Sequence, residues 1–136
     1  MREESRIVDD YGRRYSHGGT DLARAIERRV LGADYGGSGY TTIDQARRLG
    51  RRLGLAQGRV LLDLGAGCGW PGLYLARRTG CRVVSVDLPL EGLVRARRRA
   101  REEGTEGRCA AACSTARGLP FRDRAYDAVV HTDVLC

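Results

Sequence analysis

The chain has 136 residues, 42% hydrophobic and 30% charged, enough for one globular domain with a modest core. No apolar run approaches the roughly 18 residues of a membrane span, and MREESRIVDD is no signal peptide, so a cytoplasmic protein is expected. The formal charge is +7, and all 24 basic residues are arginine.

A nucleic-acid binder would gather that charge into a patch. Here the arginines fall in scattered pairs and one run, Arg95 to Arg101, on a predicted helix. Codon bias in a GC-rich genome explains the missing lysine more simply, so nucleic acid is not the expected partner. Cys68, Cys81, Cys109, Cys113 and Cys136 form no CxxC pair and no Cys/His set with zinc spacing. They read as reduced, mostly buried thiols, and no metal is expected.

Residues 1–20 are polar, with Tyr11, Tyr15 and His17 among them. Thr20 and Asp21 begin a predicted helix, DLARAIERRVL, with Leu22, Ile26 and Val30 on one face. The glycine-rich 32–40 is a loop. Thr42 and Gln45 then form a capping box, which starts a helix running to about Leu53.

From position 59 the rhythm changes. RVLLDL (59–64) has the continuous apolar run of a buried parallel strand. WPGLYLARRTG follows as a helix with Pro71 in its first turn and Gly80 at its end. CRVVSVDL is a second strand, and LEGLVRARRRAREEG a second helix ended by Gly104. RCAAACS (108–114) is a weaker third strand, since alanine has little β propensity, and YDAVVHTDVL opens a fourth.

Such alternation implies an α/β fold: a parallel sheet flanked by helices. Residues 1–57 read as a helical cover and 58–136 as the core. A fourth strand at the sheet edge would leave an open ladder through which copies could associate.

The stretch VLLDLGAGCGWPG (60–72) carries the chemistry. Glycines between a first strand and its helix let the backbone approach a ligand closely. Gly67 to Gly72 spells GxGxxG, but that frame puts two extra residues between strand and fingerprint. Read from Gly65, the frame needs its third glycine at position 70, where Trp70 stands. Asp63, at the strand end, would set its charge against a pyrophosphate. For S-adenosylmethionine, which carries an ammonium and a sulfonium, the same carboxylate is attractive and can organise loop N–H groups. Asp87 ends the second strand, where an acidic side chain accepts from ribose hydroxyls in either cofactor class.

VLLDLGAGCGWPGLYLAR, VVSVDLP and LPFRDRAYDAVVHTDVL together resemble the successive motifs of class I S-adenosylmethionine-dependent methyltransferases, over about residues 58–136. The resemblance implies a Rossmann-like fold with an N-terminal cover, incomplete after the fourth strand, and methyl transfer to a small-molecule acceptor. It implies that Gly65, Ala66, Gly67 and Gly69 line the methionine end of the cofactor, with Asp63 behind them and Cys68 a contact by position. Asp87 would hold the ribose and Leu88 pack on the adenine. The family commonly has Gly-Asp-Ala where this chain has Ser114-Thr115-Ala116, so the adenine amino group would meet the neutral Thr115 or backbone near Ala116.

His131 follows the fourth strand, where the family touches both cofactor and acceptor. It is the candidate general base, although a cleft-lining side chain without proton transfer is the simpler reading, and no catalytic residue is assigned. HTDVLC lacks the [DN]PP[YF] sequence tied to methylation of base or glutamine amino groups. Tyr11, Tyr15, Tyr40 and Thr41 belong to the cover. Two alternatives stand beside this reading: a truncated binding module without turnover, and an NAD-linked oxidoreductase, which Trp70 and Asp63 disfavour.

Overall fold

The computed structural model describes residues 2–17, 19–37 and 39–134. Its strands are β1 (Val60–Leu64), β2 (Arg82–Asp87), β3 (Cys109–Cys113) and β4 (Ala128–His131). All pairings are parallel, in the order β3-β2-β1-β4. Apolar runs such as VLLDL suit the two central positions, where both faces are covered: Leu61, Leu62, Val83 and Val86 are buried. β4 lies at one edge, with Val129 exposed. β3, built from small side chains, lies at the other, so Cys113 is exposed and Cys109 half-buried. The expectation of mostly buried thiols therefore holds for Cys68 and Cys81 and fails on this strand; Cys136 lies outside the described residues.

The helices are α1 (Arg2–Ser16), α2 (Asp21–Leu31), α3 (Ile43–Arg52), α4 (Gly72–Thr79) and α5 (Leu90–Glu102). Local chemistry sets most of their ends. The Thr42–Gln45 capping box forms in full, with Gln45 N–H donating to Thr42 Oγ1 and Thr42 N–H to Gln45 Oε1 at 2.7 Å. Gly32 and Gly80 close α2 and α4 in the left-handed conformation that spares them a Cβ penalty. Pro71 occupies the N-cap of α4. Among the described residues no helix is long and apolar enough to cross a membrane.

Sequence patterning leaves residues 1–20 without an element, yet α1 fills most of them. Its charges follow the helix dipole, with Glu3 and Glu4 in the first turn and Arg13 and Arg14 in the last. What holds it is tertiary: Tyr15 is buried, and Arg95 of α5 donates to the Tyr15 carbonyl at 2.6 Å. A second departure concerns α2, which buries no residue. Leu22, Ile26 and Val30 are 71%, 54% and 66% exposed.

The core runs across position 57. Tyr35, Ala46 and Leu55 of the cover pack with Leu61, Trp70, Leu73, Leu75, Val83 and Val130. Trp70 meets Tyr35 and Tyr74 in tilted ring contacts, at centroid distances of 5.0 and 5.3 Å. Its Nε1–H donates to the Thr41 carbonyl at 2.8 Å, giving the buried indole the polar partner it needs. Arg99 lies 3.8 Å over the Tyr35 ring and bonds Asp34 and Glu103, which pins the 33–36 backbone to α5.

Candidate functional site

Strand order reverses at β1. The chain leaves it toward β2 and β3 on one side and returns to β4 on the other. In open parallel sheets the ligand crevice lies at that switch, off the carboxyl ends of the strands. Here the crevice is framed by the loop after Leu64 and by His131, which pairs in register with Leu64.

The loop needs its glycines. Gly65, Gly67 and Gly69 have φ of +71°, +51° and +93°, the region that L side chains avoid. Space is as restrictive: a Cβ at Gly65 would strike Val134, and one at Gly67 would stand 2.8 Å from the Tyr15 hydroxyl.

The N–H groups of Gly65, Ala66, Gly67 and Gly69 are already committed. Gly65 and Ala66 N–H both donate to the Val86 carbonyl (2.8 and 3.0 Å), and Gly69 N–H to the Ala66 carbonyl (2.8 Å). Gly67 N–H donates to Asp87 Oδ2 at 2.6 Å, and Gly72 N–H to Asp63 Oδ2 at 3.0 Å. A pyrophosphate cradle requires such N–H groups to point at the ligand. These point into the protein, two of them at carboxylates. With those donors spent inside the protein, the loop has few N–H groups left for a dianionic ligand.

Asp63 lies behind the loop, as the resemblance implies. It is fully buried under the start of α4, and a Cβ on Gly72 would collide with its carboxyl. Burial pushes its pKa up to about 7, with the neighbouring Asp87 charge adding to the rise and the Gly72 N–H opposing it. Its effect on a ligand therefore runs through the loop it holds, and direct attraction of an ammonium is not part of it. Nor does it confront a pyrophosphate; the committed N–H groups now carry that discrimination.

Asp87 stands at the crevice. Its Oδ1 also accepts from its neighbour Leu88 N–H at 2.8 Å, and burial raises its pKa against the pull of those two loop bonds. Leu88 is half-buried beside it. The β3 end is joined to the same place, since Ser114 N–H donates to the Asp87 carbonyl at 3.0 Å. Thr115 follows, its hydroxyl 3.4 Å from Glu4 Oε1 on α1, and Ala116 is exposed. Cys68 is buried with Sγ 3.6 Å from the Gly36 carbonyl; burial lifts its thiol to about 11, so it touches the cover as an unreactive thiol. His131 is exposed at the β4 end. Among the described residues no group of three or more His, Cys, Asp and Glu could hold a metal ion.

Tyr15, expected in the cover, lies over Gly67. Two further contributors escape the sequence reading. Gly92 of α5 lies so near that its Cβ would stand 2.7 Å from the Gly67 carbonyl oxygen; a glycine in the first turn of a helix is the signal that could have marked it. Asp133 is a clamp: its Oδ2 accepts from the backbone N–H groups of Tyr40 (2.9 Å) and Thr41 (3.3 Å) and from the Thr41 hydroxyl (3.1 Å). It fastens the cover loop to the end of β4. Asp133→Ala is expected to raise amide hydrogen exchange at Tyr40 and Thr41 about tenfold, the loss of one charge-assisted bond's worth of protection, with β1 amides unchanged.

A glycine loop with inward-turned donors, at the switch point of a parallel α/β sheet and beside a strand-end aspartate, defines a Rossmann-like nucleoside-cofactor site. Comparison with known proteins resolves the class. Residues 61–136 match the methyltransferase domain family, and the chain belongs to it, among the class I S-adenosylmethionine-dependent methyltransferases. Methyltransferase GfsG of Streptomyces halstedii is 37% identical over 82 residues, 60% of this chain and 30% of GfsG. The 24-methylenesterol C-methyltransferase 2 of Oryza sativa subsp. japonica is 32% identical over 79 residues, 58% of this chain and 22% of that enzyme. A methyltransferase from Thiobacillus denitrificans, solved with S-adenosyl-L-homocysteine, superposes with a TM-score of 0.59 at 30% identity, over 66% of this chain and 36% of that one. This chain thus spans about a third or less of these relatives. The cofactor of the class is S-adenosylmethionine.

Proposed function

We propose that this protein transfers a methyl group from S-adenosylmethionine to a small-molecule acceptor. The observation that carries the reading is the inward commitment of the loop N–H groups, which leaves few donors for a pyrophosphate. The cofactor supplies an electrophilic methyl, so what the protein must add is alignment and exclusion of water. Gly65, Ala66, Gly67, Cys68 and Gly69 line the methionine end, and Asp63 fixes them from behind. Asp87 holds the ribose: an ionised carboxylate has about four acceptor sites, so two loop bonds leave room for two hydroxyls. Leu88, Thr115 and Ala116 border the adenine, and His131 lines the crevice on the acceptor side. A small acceptor accords with the sterol substrate named for the rice relative.

Calorimetric titration tests this. S-adenosylhomocysteine is expected to bind at micromolar affinity, and Asp87→Ala to weaken it on the order of 10- to 100-fold, the cost of hydrogen bonds to a charged acceptor. Asp87→Asn, which keeps an acceptor for Gly67, should weaken it less. Tight NADH binding in place of S-adenosylhomocysteine would overturn the reading.

A further inference from the structure

An open cavity of about 490 Å³, within the size range of small-molecule pockets, lies between the end of α1, Arg24 of α2 and the Leu90–Arg98 side of α5. Its walls include neither Asp87 nor any residue of the 65–69 loop or β4, so it is separate from the cofactor crevice. Three guanidinium groups line it, those of Arg24, Arg95 and Arg98, against one carboxylate, that of Glu91. Ser16 and His17 add polar groups at the α1 end, and Tyr15, Leu90 and Val94 supply the apolar part.

The charges around the cavity are engaged to different degrees. Among the described residues the Arg24 guanidinium makes no hydrogen bond or ion pair. Arg98 Nε lies 3.5 Å from Glu102 in a mostly exposed pair, and such pairs contribute little. Arg95 is anchored: its Nη1–H donates to the Tyr15 carbonyl at 2.6 Å, which sets the guanidinium against the end of α1. Glu91 holds its carboxylate against Gly12, one turn before Ser16, where an added Cβ would stand 3.0 Å from Oε2.

Three guanidinium groups against one carboxylate leave a surplus of two positive charges. A phosphate monoester, at about −1.5 to −2 near pH 7, matches that surplus, and a monocarboxylate does not. The planar fork of arginine also suits phosphate oxygens. Leu90 and Val94, one turn apart on α5 and each 58% exposed, stand beside that charge and offer a surface for a short apolar group.

We propose that this cavity binds a small phosphate monoester, with the phosphate among Arg24, Arg95 and Arg98 and a short hydrocarbon group on Leu90 and Val94. The site goes beyond the methyl-transfer reading and does not depend on it.

The test titrates the intact chain with n-butyl phosphate, inorganic phosphate and n-butanol, followed by calorimetry and by amide chemical shifts. n-Butyl phosphate is expected to bind saturably and more tightly than inorganic phosphate, and n-butanol not to bind. The largest shifts should fall at Ser16, His17, Arg24, Leu90 and Arg95. Arg24→Gln and Arg98→Gln should each weaken n-butyl phosphate about tenfold, the loss of a hydrogen bond to a charged group. Arg97→Gln removes the same charge from α5 outside the cavity and should change affinity less than about twofold. Thermal melts report whether the variants fold, and the shift map of the unaltered chain decides the matter if one does not. Absence of saturable binding, or shifts that bypass the cavity, would overturn the proposal. Equal weakening by all three variants would do the same, since the attraction would then be one of net charge. Tighter binding of a thymidine oligonucleotide than of n-butyl phosphate would also overturn it and assign the arginines to a polyanion. Equal affinity for inorganic and n-butyl phosphate would overturn the hydrocarbon contact on Leu90 and Val94.

Discussion

Gly92→Ala is expected to lower both stability and S-adenosylhomocysteine affinity, although glycine to alanine in a helix ordinarily gains about 0.5–1 kcal/mol. The sign is reversed by what the new methyl would meet. A Cβ at Gly92 stands 2.7 Å from the Gly67 carbonyl oxygen, 2.9 Å from its carbon and 2.9 Å from Tyr15 Cδ2. Two of those atoms are backbone, so no rotamer change relieves the contact. Either α5 retreats or the loop does, and such overpacking costs typically about 1–3 kcal/mol. Because the displaced atoms belong to the candidate cofactor loop, binding should fall at least tenfold. Gly107→Ala is the control. A Cβ there meets nothing within 4 Å, so stability and binding should be unchanged. Equal behaviour of the two variants would show that α5 does not abut the loop as described.

Asp63 should make the protein less stable as pH rises. Its folded pKa lies at about 7, against an ordinary value of 3.8. Between those values the native state binds more protons than the unfolded one, so unfolding free energy falls with increasing pH across that window and levels off above it. The full effect is on the order of 4 kcal/mol. Asp87 and Glu27, also raised mainly by burial, act in the same direction. Asp63→Asn keeps an acceptor for the Gly72 N–H and removes the ionisation. Its stability should therefore vary much less from pH 4 to 7, and above pH 7 it should equal or exceed the parent. Denaturant melts at several pH values decide the matter. Parallel profiles for parent and variant would show that Asp63 does not titrate in this window. Asp63 Oδ1 and Ser85 Oγ, on paired positions of β1 and β2, are buried without a hydrogen-bond partner, in keeping with burial as the cause of the rise.

The parts legible in the sequence were those set by local chemistry. The Thr42 capping box, the Gly80 stop and the apolar strands each follow from a few adjacent residues, and each stands where expected. Asp87 and the 65–69 loop converge for the same reason: strand-end and loop positions are fixed by the alternation itself. The rest depended on contacts distant in sequence. α1 has too few apolar side chains to announce itself and is held by α5. Asp133 meets Tyr40 and Thr41 some 90 residues away in the chain, and nothing in TDV foretells it. Asp63 stands behind the loop and accepts from a backbone N–H, as expected, while its full burial removes direct attraction of an ammonium, because burial is a property of what packs over a strand end. The α2 stripe erred in the opposite sense. Its periodicity is plain, but within this chain the face stays exposed.

The central claim is that the 65–69 loop holds S-adenosylmethionine and not a dinucleotide. An amide chemical-shift map tests it most directly. On titration with S-adenosylhomocysteine, the largest shifts are predicted at Gly65 to Gly69, Asp87, Leu88, Thr115, Ala116 and His131, with none of comparable size on addition of NADH. Shifts that bypass the loop, or an equal response to NADH at those same amides, would contradict it.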